Sequence, residues 1–255
     1  MIPKKLIAQL LSTVLTIAVL VMLGFAINTK TNSKLNHCTI SVDALADKKY
    51  LISKQDIKNI LDNTIGFDIM NATIEDLDLM AIEAAILKDK RVLTAEVFVQ
   101  HKNEMIVQVV QRKPIVRISD ENANNYYLDE EGKRVPHVLN ESVRVPVVTG
   151  SVDGYTLDYK KMKKNNLNDI FLLVNLIRKD EFLAPLIEQI HIEENKEILL
   201  VPKLGKKKII LGNIENLEDK LYNLKTYYRQ GTKKVGVDKF AVLDLRYKSQ
   251  VVGRI

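Results

Sequence analysis

The residue types that most often carry catalysis are few in this 255-residue chain and lie far apart in its sequence. The four histidines, His37, His101, His137 and His191, do not show the H-E-x-x-H or H-x-x-H spacing that is typical of metal sites on a helix. Cys38, the only cysteine, lies in a predicted strand without a neighbouring base, so we do not expect it to act as a nucleophile. The sequence therefore predicts that the protein is not an enzyme and that it binds no metal and no cofactor.

A cell-wall hydrolase is the enzyme class that we weigh against this prediction. Such an enzyme would need paired carboxylates or a metal cluster. Glu130-Glu131-Gly132 lacks the alternating carboxylates of a calcium loop, and Asp129 is more typical of a turn cap. We find no constellation that would support hydrolysis.

The strands predicted near the end of the sequence could bind another chain through backbone hydrogen bonds. Residues 242–255 read VLDLRYKSQVVGRI and predict two strands, 242–245 and 247–252. An unpaired strand edge presents N–H and C=O groups with which another chain can pair. An ordinary edge strand that packs on a core shows the same apolar alternation. The candidate partner-binding residues are Arg246, Tyr247, Ser249, Gln250, Val251 and Val252.

The first 35 residues predict a membrane anchor. Residues 6–27 contain no charged side chain, and a helix of that length spans roughly 33 Å, enough to cross a bilayer core of about 30 Å. A cleaved signal peptide is the alternative, but the apolar run is longer than usual for one. We therefore expect a cytoplasmic stub at 1–5, a transmembrane helix at 6–27 and a linker at 28–35, with the rest of the chain outside the cytoplasm.

Residues 36–112 predict a first small domain with the element order β-α-α-β-β. Ser53 and Asp56 have the spacing of a capping box at the start of the first helix. Two alternating runs, 92–100 and 104–111, predict a pair of strands. This order resembles that of a POTRA domain, a small module that binds other proteins close to membranes.

Residues 113–255 predict a second domain of the α+β class with a mostly antiparallel sheet. A strand-turn-strand unit is expected at 126–136, with Gly132 in the turn. Apolar stripes predict helices at about 159–178 and 215–228. Further strands are expected at 145–150, 187–193, 197–201 and 208–211, in addition to the two near the C-terminus.

The net charge of +6 permits nucleic-acid binding in principle. However, the basic pairs are scattered, there is no tryptophan, and no aromatic residues alternate with the lysines. We interpret these lysines as solvated surface and expect no nucleic-acid partner.

The chain resembles the FtsQ/DivIB cell-division family in its Bacteroidetes-like form. The anchor and the β-α-α-β-β order contribute to this resemblance, together with four short motifs. Gln111 begins the first motif, in which Arg112 and Pro114 mark the domain junction. The motifs are QRKPIVRI at 111–118, YYLDEEGKRVP at 126–136, VPVVTG at 145–150 and LDLRYKSQVV at 243–252.

This resemblance implies a bitopic, non-catalytic scaffold of the bacterial divisome in the inner membrane at the division septum. It implies recruitment of FtsB/DivIC-like and FtsL-like coiled-coil partners, which add a strand to the last strand of the second domain. The POTRA-like domain would bind other division proteins. The alternative is a POTRA-containing envelope protein of secretion or assembly, although such proteins usually carry several POTRA repeats or a β-barrel.

Overall fold

The computed structural model describes residues 12–24, 33–120, 124–137, 142–162, 164–204, 207–248 and 250–255. The chain divides into two compact units between Gln111 and Arg112. The predicted stub at 1–5 and residues 28–32 of the predicted linker lie outside the described residues.

The predicted membrane-spanning helix is not found. Residues 12–24 form helix α1, and residues 6–11 and 25–27 of the predicted segment lie outside the described residues. In the part of the chain that the structure describes, no helix has both the length and the apolar character needed to cross a membrane. The predicted anchor is therefore corrected.

The first unit contains a three-stranded sheet and two helices in the order β-α-α-β-β. The strands lie in the order β1-β3-β2, with β1 parallel and β2 antiparallel to β3. The likeness to POTRA modules stays a prediction based on this order. The elements are β1 (His37–Val42), α2 (Lys54–Ile65), α3 (Leu79–Leu87), β2 (Val92–Gln100) and β3 (Glu104–Gln111).

Helix α2 begins at the predicted capping box. The Ser53 hydroxyl accepts from the Asp56 N–H at 3.0 Å, and the Asp56 carboxylate accepts from the Ser53 N–H at 2.9 Å. Gly66 ends the helix with a φ of 90°, a conformation that glycine adopts without strain. The capping-box prediction is thus confirmed, and the box defines the residue at which the helix begins.

The second unit contains, among its described residues, a nine-stranded sheet in the order β12-β11-β10-β9-β8-β7-β4-β5-β6. The predicted turn with Gly132 at positive φ joins β5 to β6. The strands are β4 (Pro114–Asp120), β5 (Asn125–Asp129), β6 (Arg134–Pro136), β7 (Val147–Gly150), β8 (Ile187–Ile192), β9 (Ile198–Pro202), β10 (Lys208–Gly212), β11 (Val242–Asp244) and β12 (Val252–Arg254).

Among the described residues, five of the eight strand pairs in this sheet are antiparallel, in agreement with the predicted mostly antiparallel α+β domain, and three are parallel. Strand β7 is parallel to both β4 and β8, and β10 is parallel to β11. Helix α4 (Asn166–Lys179) lies between β7 and β8 in the chain, and α5 (Leu217–Thr226) lies between β10 and β11. Parallel neighbours need such crossover connections, so each helix accounts for one parallel pair.

The core of the second unit lies between these helices and the sheet. A π-helical turn, Tyr227–Gly231, and a short helix, α6 (Thr232–Val235), continue α5. The helices pack apolar stripes against buried side chains of the strands, including Ile190 and Leu243. The fully or nearly buried helix residues are Leu167, Ile170, Leu173, Val174, Ile177, Leu217, Leu221, Leu224 and Tyr228.

Candidate functional site

The two edges of the nine-stranded sheet differ. At one edge, β6 contains Pro136, which has no backbone N–H to donate, and the exposed Arg134. Proline and charge on an edge strand both oppose pairing with another chain. At the other edge, β12 pairs antiparallel with β11, and its outer side has no partner strand among the described residues. Strand β12 is therefore the edge of this sheet that can accept another strand.

The predicted partner-binding residues lie at or before this strand. Val252 is the first residue of β12, and the half-buried Val251 precedes it. Ser249 lies outside the described residues. The other three, Arg246, Tyr247 and Gln250, are exposed and lie in the connection from β11 to β12.

The predicted strand at 247–252 is wrong, because the chain turns where the sequence pattern suggested an extended strand. The Gln250 N–H donates to the Tyr247 carbonyl at 3.3 Å, which closes a turn. The Arg246 N–H and its guanidinium both fold back onto Asp244. The strand consequently begins only at Val252 and includes Gly253 and Arg254, which the sequence reasoning did not select.

A buried carboxylate ties β12 to β11. The Asp244 side chain is fully buried and accepts from Nε of Arg246 at 3.0 Å and from Nη2 of Arg246 at 2.8 Å. It also accepts from Nη2 of Arg254 at 2.8 Å. Nη1 of Arg246 donates to Glu197 in addition, at 2.9 Å. This ion-pair cluster joins Asp244, the last residue of β11, to Arg254, the last residue of β12.

The cluster shifts the acidity of its members. The hydrogen bond from Arg246 lowers the pKa of Asp244 below its ordinary value. The hydrogen bonds to Asp244 and Glu197 raise the pKa of Arg246. Both groups are therefore charged over the whole physiological pH range, and the link between the two strands is permanent there.

On its other face, β12 is covered by the ring of Phe240. A Cβ atom added at Gly253 would lie 2.5 Å from two ring atoms of Phe240, which is closer than real contacts allow. The signal that could have found this position is a glycine within a strand pattern, which often marks the close approach of another group.

Two cavities lie along this face of the edge. One, of about 340 Å³, is bordered by Tyr227, Gln230 and Val251 among others. The second, of about 590 Å³, is bordered by Lys207, Phe240 and Ile255 among others. The Tyr227 hydroxyl and the Lys207 ammonium are 3.4 Å apart, so these two side chains connect the borders of the two cavities.

The predicted junction residues lie at the start of the second unit. Nη1 of Arg112 donates to Asp129 at 2.6 Å and to Glu131 at 3.1 Å, which anchors the turn between β5 and β6. Pro114 is buried and begins β4. These contacts stabilise the second unit, and they place neither residue at the open edge.

The histidines and the cysteine considered above can be described by their local contacts. In the part of the chain that the structure describes, no three His, Cys, Asp or Glu side chains converge as metal ligands. His191 shares a hydrogen bond of 2.9 Å with the Thr149 hydroxyl. Burial raises the pKa of the Cys38 thiol, which favours the unreactive form.

A comparison with known families covers most of the second unit. Residues 113–254 match the family described as FtsQ/DivIB, C-terminal related, which is more than half of the chain and includes all of β12. No curated protein matches the chain. The chain therefore belongs to the FtsQ/DivIB C-terminal related family, and its role is in cell division, together with protein partners of the division complex.

Proposed function

We propose that the protein is a non-catalytic scaffold of the divisome that acts at the division septum. It recruits FtsB/DivIC-like and FtsL-like partners by accepting a partner strand at β12. The observation that carries this proposal is the contrast between the open edge at β12 and the blunted edge at β6. Strand addition uses main-chain hydrogen bonds for affinity and neighbouring pockets for specificity.

Three features of the second unit support this mode of binding. Strand β12 lies within the residues that match the division family. The cluster at Asp244 holds β12 against β11. Strand β12 is therefore already ordered before a partner binds, and binding loses little conformational entropy in ordering it. Cavities next to Val251 and Ile255 offer space for partner side chains beside the backbone edge.

The test is photo-crosslinking in living cells with the full chain. A crosslinking residue replaces Gln250, which is exposed directly before the edge, or Leu157, which is 89% exposed and lies in a loop, as the control. We expect Gln250 to capture a small coiled-coil membrane protein of the division complex and Leu157 to capture none. Loss of this adduct in Val252→Pro would tie it to the strand, because proline disrupts pairing of β12.

Depletion in cells separates this proposal from the rival function classes. A division scaffold gives filamentous cells on depletion, whereas a component of secretion or assembly leads to accumulation of unfolded envelope proteins. Depleted cells of normal length, or an equal adduct at Gln250 and Leu157, would count against the scaffold.

A further inference from the structure

Lys207 is a buried lysine that borders the same cavity as Ile255, the residue after β12. Its side chain and backbone together are 5% exposed, and its ammonium lies 3.4 Å from the Tyr227 hydroxyl and 5.5 Å from the centroid of that ring. Within the described part of the chain, no carboxylate forms an ion pair with it. Lysine is rarely buried to this extent without an anionic partner, because burying an unpaired charge is costly.

The position of Lys207 relates it to the end of β12. It directly precedes β10, and the Lys208 N–H donates to the Ala241 carbonyl at 3.1 Å. The Ala241 N–H in turn donates to the carbonyl of Arg254, the last residue of β12, at 2.8 Å. Lys207 thus borders the cavity of about 590 Å³ at the point where β10, β11 and β12 come together, with Ile255 on the same cavity.

The surface around this cavity is basic. From residue 225 to residue 255 the sequence contains eight lysines and arginines but only two acidic residues, a surplus equal to the net charge of the whole chain. Of the two, Asp244 is already paired with two arginines, and Asp238 borders the cavity together with three lysines, Lys203, Lys207 and Lys239. An acidic segment is therefore the partner that this region favours electrostatically.

A strand that pairs with β12 brings its side chains to this cavity. Side chains alternate between the two faces of a strand, and neighbouring strands lie about 4.8 Å apart. Every second side chain of an added strand therefore faces the same side as Gly253 and Ile255, where Phe240 and Lys207 border the cavity. In the order β12-β11-β10, an added strand lies three spacings, about 14 Å, from β10, so the long side chain of a glutamate is needed to bring a carboxylate to an extended Lys207 side chain.

We propose that Lys207 receives a glutamate side chain of the partner strand, so that the segment docking on β12 is acidic and extended. This inference rests on the proposed function and adds the chemistry by which the partner is recognised. Backbone pairing alone accepts many sequences, whereas a buried carboxylate–ammonium contact selects the register and the identity of the strand.

The experiment measures the in-cell adduct at Gln250 in full chains that also carry a change at Lys207. Lys207→Met keeps most of the packing of the lysine stem and removes the charge. Lys208→Gln is the matched control, since it removes the neighbouring lysine, whose ammonium is exposed and paired with Glu193 at 2.9 Å. We expect the adduct to fall at least tenfold in Lys207→Met, to persist in Lys207→Arg, and to be unchanged in Lys208→Gln.

If Lys207→Met reduces the amount of folded protein, a charge-reversal experiment tests the same contact in another way. Lys207→Glu is combined with single changes of each acidic residue of the captured partner to lysine, and one combination is expected to restore the adduct. Equal adducts in Lys207→Met and Lys208→Gln would overturn the inference while leaving strand addition intact. A wild-type chain that gives no adduct at Gln250 would overturn strand addition itself, and the inference with it.

Discussion

At the scale of single residues, Asp244 carries the interactions that decide the geometry of the edge. Its side chain is fully buried and accepts hydrogen bonds from two arginines. One arginine lies in the connection after β11 and the other lies in the strand β12. When a buried carboxylate loses its charge, its arginine donors lose their charged acceptor. The resulting loss in the free energy of unfolding is larger than the contribution of a single exposed ion pair.

We expect Asp244→Asn to lower the free energy of unfolding by about 2 kcal/mol at neutral pH. The pKa of Asp244 is lower in the folded chain, so its contribution is present above the unfolded pKa of about 3.9 and is lost as pH falls through the folded pKa. The difference between wild type and variant should therefore shrink under acidic conditions. Denaturant unfolding across a pH series measures this, with Asp158→Asn, at a carboxylate with 73% of its side chain exposed, as the control. A difference that stays constant into acid would contradict the assignment.

At the scale of elements, strand β12 depends on how closely Phe240 approaches it. Gly253 provides the space, since any side chain there would meet the ring at 2.5 Å. The ring also belongs to the surroundings of the cavity that we assign to the partner. A change at this glycine therefore acts on the strand and on the cavity together.

We expect Gly253→Ala to destabilise the protein by about 1–2 kcal/mol and to weaken capture at Gln250, because the ring must move to accept the added methyl group. Gly154→Ala is the control, since a Cβ there meets nothing within 4 Å. Thermal unfolding together with the crosslinking yield provides the measurement. If the two variants behave alike in both measurements, Phe240 does not shape the edge.

Several elements could be predicted from the sequence because their signals are local. The capping box at Ser53 depends on residues three apart, and the glycine turn at 132 depends on one residue. The strand at 247–252 could not be excluded, since its apolar alternation was real and the turn is imposed by Arg246 folding back onto Asp244. Close approaches such as that of Phe240 to Gly253 join segments whose contact no local pattern reveals.

At the scale of the whole molecule, the predicted anchor was corrected, and the three parallel pairs within the mostly antiparallel sheet were not predicted. The anchor was predicted from the length of the apolar run, whereas no helix among the described residues is long and apolar enough to cross a membrane. The sheet type depends on which strands become neighbours, and the crossovers through α4 and α5 place parallel strands side by side. The division family could be inferred from the order of short motifs, and the match over 113–254 confirms it.

The charge distribution of the whole chain predicts a salt-dependent association. Positive charge is concentrated between residues 225 and 255, so an acidic partner should be steered to this region. We expect the association rate of the full chain with its captured partner to fall roughly tenfold as salt rises from about 0.05 M to about 0.5 M.

Two double variants test which part of the surface causes the salt dependence of the association rate. Lys233→Gln with Lys234→Gln removes two exposed charges near the edge, and Lys88→Gln with Lys90→Gln removes two exposed charges in the first unit. Stopped-flow binding should show a weaker salt dependence only for the pair near the edge. The same salt dependence in both double variants would argue against steering by this region.

The contrast between β6 and β12 also limits how many molecules can join through this sheet. A sheet that can accept a strand on both sides is able to polymerise, whereas one with Pro136 on its far side grows from the side of β12 alone. Among the described residues, β12 is thus the one position on this sheet at which a partner strand can pair with the protein's own backbone. If strand addition takes place as we propose, we expect one partner strand to pair directly with each copy of the protein.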